Sequence, residues 1–492
     1  MVVLLLALQL AAGLWRITEP FTDGRFHYNW GPPFWLVSAK TTNELGIIRS
    51  FFGVVNGLDG TFYSSHPQLI GPLFALWTRA FGYDEWSPRL FSLTLTIATT
   101  LIFGLALAQI WGTKFGALSG ALFAVFPIIY VFGKKLDQEP LVLFFIALTL
   151  LGGSVLLTGR RFPRRLLIAS LVGMMLSDWS GFVFVVTIGG ALVLMTRKSQ
   201  KITDKKMLRT VVFAFCLGVT LVVGQSVLQH HGNVTETIRE YKTLFLIRSA
   251  TQSSTVTWAT WLQAQYHYFQ NNYTYQIVIL ATVGFVWSAW SARRQSIPPA
   301  ERGLITLLGA VIAGQIIYSA AMRQASQIHE YFQYYFSLPF AFGIVWLVRR
   351  LADKTQVTKK LSTPAGIALI AVLVWHTANF YNDELKKMFG NASDVTLLRH
   401  IGATIPETAD IRAVFDENTY TWFAHPNMRY YTGRKQISES PYWDVQTAPY
   451  LIVPRIDLRT VFAGIEEKQS ACLPSPADAT CSTNFCLLSF GV

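Results

Sequence analysis

The chain has 492 residues, 52% of them hydrophobic and only 14% charged, a balance too apolar for a pair of soluble domains. Its net charge of +13 is spread in short basic clusters between apolar blocks, which argues against a nucleic-acid-binding surface. No Gly-rich phosphate loop and no metal-ligand spacing of Cys or His occurs, so no nucleotide fold, resident metal or other cofactor is expected.

A bilayer core of roughly 30 Å takes about 20 mostly apolar residues per helix, because hydrocarbon offers no partner to a bare backbone group. The first block runs from Met1 to near Trp15. It is short and lacks the basic start of a cleaved signal peptide, so it reads as the first helix with a truncated or misassigned start; a cleaved signal is the other reading. Further spans are expected at 88–110, 115–132, 140–157, 165–178, 181–196, 209–228, 275–293, 303–321, 331–348 and 363–381. The fold class is therefore a polytopic α-helical membrane protein with about 11 transmembrane helices. The fifth and sixth spans are short and separated only by Asp178-Trp179-Ser180-Gly181, a tight hairpin or a partly re-entrant pair.

Orientation comes from the basic loops at Arg160 to Arg165, Arg197 to Arg209, Arg293 to Arg302 and Arg349 to Lys360, which alternate along the chain and are cytoplasmic. The other side then receives the long first loop 16–87, the turn 133–139, the loop 229–274, the turn 322–330 and everything after about 382. Residues 34–55 and 67–82 carry apolar positions at helical spacing and read as helices lying along the bilayer surface. The domain reading is a membrane domain over 1–381 and a small extracytoplasmic α/β domain over 382–492. In the latter, strands are expected at 413–415, 428–431 and 450–453, with helices near 394–403 and 457–464.

Three outer segments hold polar residues that carry chemistry. Asp23-Gly24-Arg25-Phe26-His27-Tyr28 follows the first helix; a carboxylate there can deprotonate an acceptor hydroxyl, although Thr22-Asp23-Gly24 is also good turn chemistry. His66-Pro67-Gln68-Leu69 precedes an amphipathic run and Trp86-Ser87-Pro88-Arg89-Leu90. Lys134-Lys135-Leu136-Asp137-Gln138-Glu139-Pro140 is a dense charged turn between two apolar helices, with two cations to clamp a phosphate beside two carboxylates to orient an acceptor. The plain reading is a solvated turn, but lysines on the outer side run against the positive-inside trend.

Together these segments resemble the GT-C glycosyltransferases, which include dolichyl-phosphate-mannose protein O-mannosyltransferases and bacterial lipid A aminoarabinose transferases. The resemblance covers roughly residues 1–350 and rests on Asp23, on His66-Pro67-x-Leu69 with Trp86-Ser87-x-Arg89-Leu90, on Glu139-Pro140-Leu141, and on Gln327-Ile328-His329-Glu330-Tyr331-Phe332. Two positions depart from the family pattern, Gly24 where an acid is common and Gln68 where a second proline is. The resemblance implies inverting transfer of a sugar, mannosyltransferase-like, from a polyprenyl-phosphate carrier to an acceptor hydroxyl on the extracytoplasmic face. It makes Asp23 the base, with Glu139 a better match to the second acidic position than Asp137. Arg25, His66, Lys134 and Lys135 become candidates for the donor phosphate, and His27, His329 and Tyr331 line the cavity. The partners implied are the polyprenyl-phosphate sugar, membrane lipids and a protein, lipid or glycan acceptor.

A transporter or flippase for lipid-linked sugars is the main alternative. It predicts ionisable residues within helices and an internal repeat, and neither is seen in the sequence. A disulfide among Cys472, Cys481 and Cys486 is expected with its pairing open, and the sequons at Asn233, Asn272 and Asn391 occur about as often as chance supplies them.

Overall fold

Apolar runs fold into helices here because a helix satisfies its own backbone groups where no water can. The computed structural model describes residues 2–21, 31–50, 66–199, 204–251, 256–354 and 392–406, with shorter pieces at 52, 55–56, 61–62, 372, 409, 411–415, 424–433, 438–441, 450–454, 478–481 and 485–489. In chain order the helices are α1 (Val2–Leu14), α2 (Gly31–Leu45), α3 (Ile70–Phe81), α4 (Trp86–Trp111), α5 (Thr113–Val125), α6 (Pro127–Phe132), α7 (Gln138–Leu157), α8 (Arg164–Ser177) and α9 (Trp179–Ser199). They continue with α10 (Asp204–Gln229), α11 (Val234–Arg248), α12 (Trp258–Tyr273), α13 (Tyr275–Arg293), α14 (Pro299–Ala321), α15 (Arg323–Ile328), α16 (Ser337–Lys354), α17 (Ala392–Thr404) and α18 (Ala424–Thr432).

Six helices among the described residues are long and apolar enough to cross a bilayer, in α4, α7, α10, α13, α14 and the stretch Glu330–Ala352; α5 and part of α9 are shorter apolar helices. Two expected spans have a different internal build. The run 115–132 breaks at Phe126, whose ψ of 136 is extended, because the ring of Pro127 disfavours helix in the preceding residue. The run 331–348 opens as a 3-10 helix over Glu330–Phe336 before α16 begins. The expected span 363–381 falls almost entirely outside the described residues.

By its contacts the chain divides into two units, one of Met1–Ile17, Ser64–Ile70 and Arg89–Asp383, the other of Thr18–Tyr63, Gly71–Pro88 and Glu384–Val492. In the first, α13 and α16 approach so closely that a Cβ on Gly284 would lie 2.0 Å from the carbonyl oxygen of Gly343. Only glycine lets two helix backbones meet this way. The buried Glu301 of α14 accepts hydrogen bonds from Trp346 Nε1 and Arg349 Nη1, both at 2.8 Å, and Arg350 lies 3.8 Å away.

The second unit joins the first outer loop to the C-terminal segment. Phe21 N–H donates to the Tyr431 hydroxyl at 2.6 Å, the Tyr430 hydroxyl donates to the Tyr83 carbonyl at 2.8 Å, and Arg399 pairs with Glu85. Its five-stranded sheet runs in the order β4 (Ser438–Pro441), β3 (Ile411–Phe415), β5 (Tyr450–Pro454), β7 (Phe485–Ser489), β6 (Asp478–Cys481). The first three strands are parallel and the last two join antiparallel. Cys481 and Cys486 are direct partners in the β6–β7 register, while Cys472 and the helix expected at 457–464 lie outside the described residues.

One expected strand is a helix. Met428-Arg429-Tyr430-Tyr431 lies in α18, which packs against α17, with Met428, Tyr431 and Thr432 buried. Burial at this three- and four-residue spacing is a helix face, whereas a strand buries every second residue.

Candidate functional site

Four chain segments far apart in sequence meet within the first unit around His66. Asp178 is the single residue between α8 and α9, and as the residue before α9 it accepts from the Ser180 backbone N–H at 3.0 Å, which ties down one of the unpaired donors at that helix start. The same carboxylate accepts from the Tyr318 hydroxyl of α14 at 3.2 Å and from His66 Nδ1 at 2.9 Å. On the other edge of the imidazole, Arg248 Nη2 lies 2.8 Å from His66 Nε2. Arg248 is the last residue of α11, where a cation faces the negative end of the helix dipole.

The hydrogen-bond roles follow from chemistry. An arginine only donates, so His66 Nε2 is the acceptor and Nδ1 carries the proton towards Asp178. Burial and the Arg248 cation hold His66 below the usual histidine range, against the opposing effect of Asp178 and Asp137. Its imidazole is therefore neutral.

The turn before α7 supplies a second set of charges. Asp137 is committed twice: its carboxylate caps α7 by accepting from the Gln138 N–H at 3.0 Å, and it pairs with Lys135 Nζ at 2.7 Å. Glu139 in the first turn of α7 feels the charges of Asp137, Lys135 and Asp178, so the two sets form one electrostatic neighbourhood. Lys135 also lies 4.0 Å from the centre of the Tyr331 ring, which stacks on His329 at 5.0 Å. The Tyr335 hydroxyl is 3.0 Å from Ser180 Oγ.

Lys134 faces elsewhere. It is almost fully buried and donates to the Trp15 carbonyl at 2.7 Å, just beyond α1, while Arg89 donates to the Ile17 carbonyl at 2.8 Å. Burial, then the charges of Arg89 and Arg16, lower the Lys134 ammonium to about 7.

His66, Lys135, Asp137, Glu139, His329 and Tyr331 are thus gathered, while Lys134 holds the end of α1; Asp23, Arg25 and His27 lie outside the described residues. Asp178 and Arg248 are missing from the sequence reading. The faint signal for Asp178 was an acid in the break between two apolar blocks, and for Arg248 a basic residue inside an outer loop rich in Tyr and Trp. Among the described residues no three His, Cys, Asp or Glu side chains gather to hold a metal ion. A crevice of about 180 Å³ between α4 and α5 is lined by small and apolar residues such as Gly104, Ala108, Gly116 and Ala121, with no titratable group among its lining residues.

No family model and no curated protein matches this chain. Solved structures do. The lipid A aminoarabinose transferase ArnT from Cupriavidus metallidurans, solved bound to undecaprenyl phosphate, is 12% identical and matches over 99% of this chain and 97% of its own, with a TM-score of 0.61. The oligosaccharyltransferase AglB from Archaeoglobus fulgidus, solved with an inhibitory peptide and a dolichol-phosphate, is 10% identical over 96% of this chain and 71% of its own, with a TM-score of 0.55. The chain has the GT-C fold. That settles its class as a polytopic α-helical membrane protein, and the charged cluster around His66 is placed on that GT-C scaffold by turns and helix ends of the first unit.

Proposed function

We propose that this protein transfers a sugar from a polyprenyl-phosphate carrier to an acceptor hydroxyl on the extracytoplasmic face, with inversion at the anomeric carbon. The observation that carries this reading is the convergence of Arg248 and Lys135 with Glu139 and Asp178 at turns that the loop charges place outside the cytoplasm. A lipid phosphodiester brings its own negative charge, so fixed cations stabilise its departure without a nucleotide-binding fold. The GT-C fold shared with transferases crystallised with lipid phosphates supports the same reading.

In this scheme the bond from the anomeric carbon to the phosphate oxygen breaks as the acceptor oxygen attacks from the opposite face. Arg248 and Lys135 receive the leaving phosphate, and a carboxylate takes the hydroxyl proton. Asp23 is assigned that proton, with Glu139 the second acid; Asp137, already capping α7 and pairing with Lys135, is the weaker candidate. His329 and Tyr331 border the Lys135 side, and Arg25 and His27 retain their places near Asp23 in sequence.

The test uses the whole protein in liposomes with a radiolabelled polyprenyl-phosphate sugar and extracted membrane acceptors. Label is expected to move from the lipid to acceptor, and Asp23→Asn and Glu139→Gln, inserted normally, are each expected to slow this by at least about 100-fold, the usual scale of a general acid or base. Full transfer by both variants defeats the assigned mechanism. Movement of intact donor across the bilayer without cleavage instead supports a flippase.

A further inference from the structure

Three helices long and apolar enough to cross the bilayer end together at the far end of α14 from His66. Trp111 is the last residue of α4, Glu301 lies in the first turn of α14, and Arg349 and Arg350 lie near the end of α16. At 1.5 Å per residue, Glu301 stands about 25 Å along α14 from Tyr318, the residue that donates to Asp178. That distance approaches the thickness of a hydrocarbon core. A crossing helix thus sets the two clusters at opposite surfaces, and this one sits at the depth of lipid headgroups.

The carboxylate here is already spent. Glu301 receives Trp346 Nε1 on one oxygen and Arg349 Nη1 on the other, which ties α14 to α16 and leaves two guanidiniums facing one acid. Arg350 has no hydrogen bond among the described residues. Glu301 is 3.8 Å from it, the Trp346 ring lies 5.1 Å from its guanidinium carbon, and its Nε is shut from solvent with no acceptor. Trp111 repeats the pattern: its ring stacks on Phe342 at 4.9 Å and is faced by Arg349 at 5.4 Å, while its indole N–H is buried with no acceptor among the described residues. A buried donor is costly to leave bare, and a bare donor on a cation more so.

We propose that Arg349 and Arg350, with Trp111 beside them, form a site for the phosphate headgroup of an anionic phospholipid. A phosphodiester carries the single negative charge that one acid against two arginines leaves unbalanced, and its oxygens accept from the planar guanidinium fork. Arginine and tryptophan together at helix ends are the side chains suited to the headgroup layer. The bilayer also supplies this ligand at the right depth, because its acyl chains hold the phosphate there at high local concentration. Bound in this way, one lipid bridges the end of α4 to the end of α16. The site is separate from the cluster around His66 and does not depend on the transfer reading.

The experiment compares phosphatidylglycerol with phosphatidylcholine of the same acyl chains, by native mass spectrometry of the full chain and by its melting in nanodiscs of each lipid. Phosphatidylglycerol is expected to bind at least about tenfold more tightly, the scale of one charge-assisted hydrogen bond. Arg350→Gln is expected to remove most of that preference while melting like the parent in phosphatidylcholine. Trp111→Phe keeps the ring stacked on Phe342 and deletes only the N–H, and is expected to weaken phosphatidylglycerol about threefold. Arg161→Gln, at an exposed arginine of another loop, is expected to leave the preference intact. Equal binding of the two lipids overturns the site, and so does an equal loss in Arg161→Gln, the mark of general attraction to basic loops. Melting of Arg350→Gln that falls as far in phosphatidylcholine as in phosphatidylglycerol reduces Arg350 to a partner of Glu301, and stabilisation by inorganic phosphate alone equal to that by phosphatidylglycerol makes this a free-anion site; either result defeats the proposal.

Discussion

Two of the places where the first unit buries charge are built on different plans. Around Glu301 a single carboxylate, 1% exposed, has one oxygen receiving Trp346 Nε1 and the other Arg349 Nη1, with Arg350 nearby. Around His66 three carboxylates are spread among a histidine, a lysine and an arginine drawn from separate turns and helix ends. The first arrangement answers each charge with fixed donors between two helices, α14 and α16, and so joins them. The second carries more groups than mutual neutralisation needs, and it is bordered by hydroxyls and rings of Tyr318, Tyr331 and Tyr335. Buried ion pairs contribute little net stability unless every partner is satisfied, so the second plan is the one expected of a binding site.

Substitutions break the comparison apart by separating stability from binding. Glu301→Ala leaves two arginines without their acceptor and is expected to cost about 3 kcal/mol, the lower end for breaking a buried pair. The readout is a lower melting temperature in detergent, with unchanged affinity for undecaprenyl methyl phosphate below the transition. Lys135→Met is expected to do the reverse, weakening that affinity about tenfold, the scale of a charge-assisted hydrogen bond, with little change in melting. A large melting shift for Lys135→Met with intact affinity reduces the His66 neighbourhood to a structural pair like the one at Glu301. Tyr318→Phe removes one of the donors to Asp178 and is expected to reduce affinity about threefold, near the net value of a neutral hydrogen bond; a loss of more than about tenfold would make Tyr318 a ligand in its own right.

Much of the scaffold was legible because its signals are local. Apolar blocks placed most helices, and the Glu139-Pro140-Leu141 run marked the start of the fourth span within two residues of where α7 begins. The break at Phe126–Pro127 was missed, because the apolar run 115–132 reads as one span although proline restricts its predecessor. Met428 to Tyr431 misled because a short run of apolar and aromatic residues fits either periodicity until its packing partner, α17, is known. The site was half legible. Candidate residues in the turns between spans were visible by type, but the partnership of His66 with Asp178, 112 positions on, and with Arg248, 182 positions on, is created by helix packing. No motif spacing encodes it.

The adjacent lysines of the charged turn have one further consequence. Lys134 reaches the Trp15 carbonyl while Lys135 reaches Asp137 and the face of Tyr331, so one peptide unit sends two ammonium groups to different tasks. The pair is therefore not redundant, and its meaning depends on phase. Inserting or deleting a single residue ahead of Gly133 would leave composition, charge and hydropathy nearly untouched, yet it would set one lysine in the other's place and leave the second position without an ammonium, disturbing the anchor of α1 or the cluster around His66.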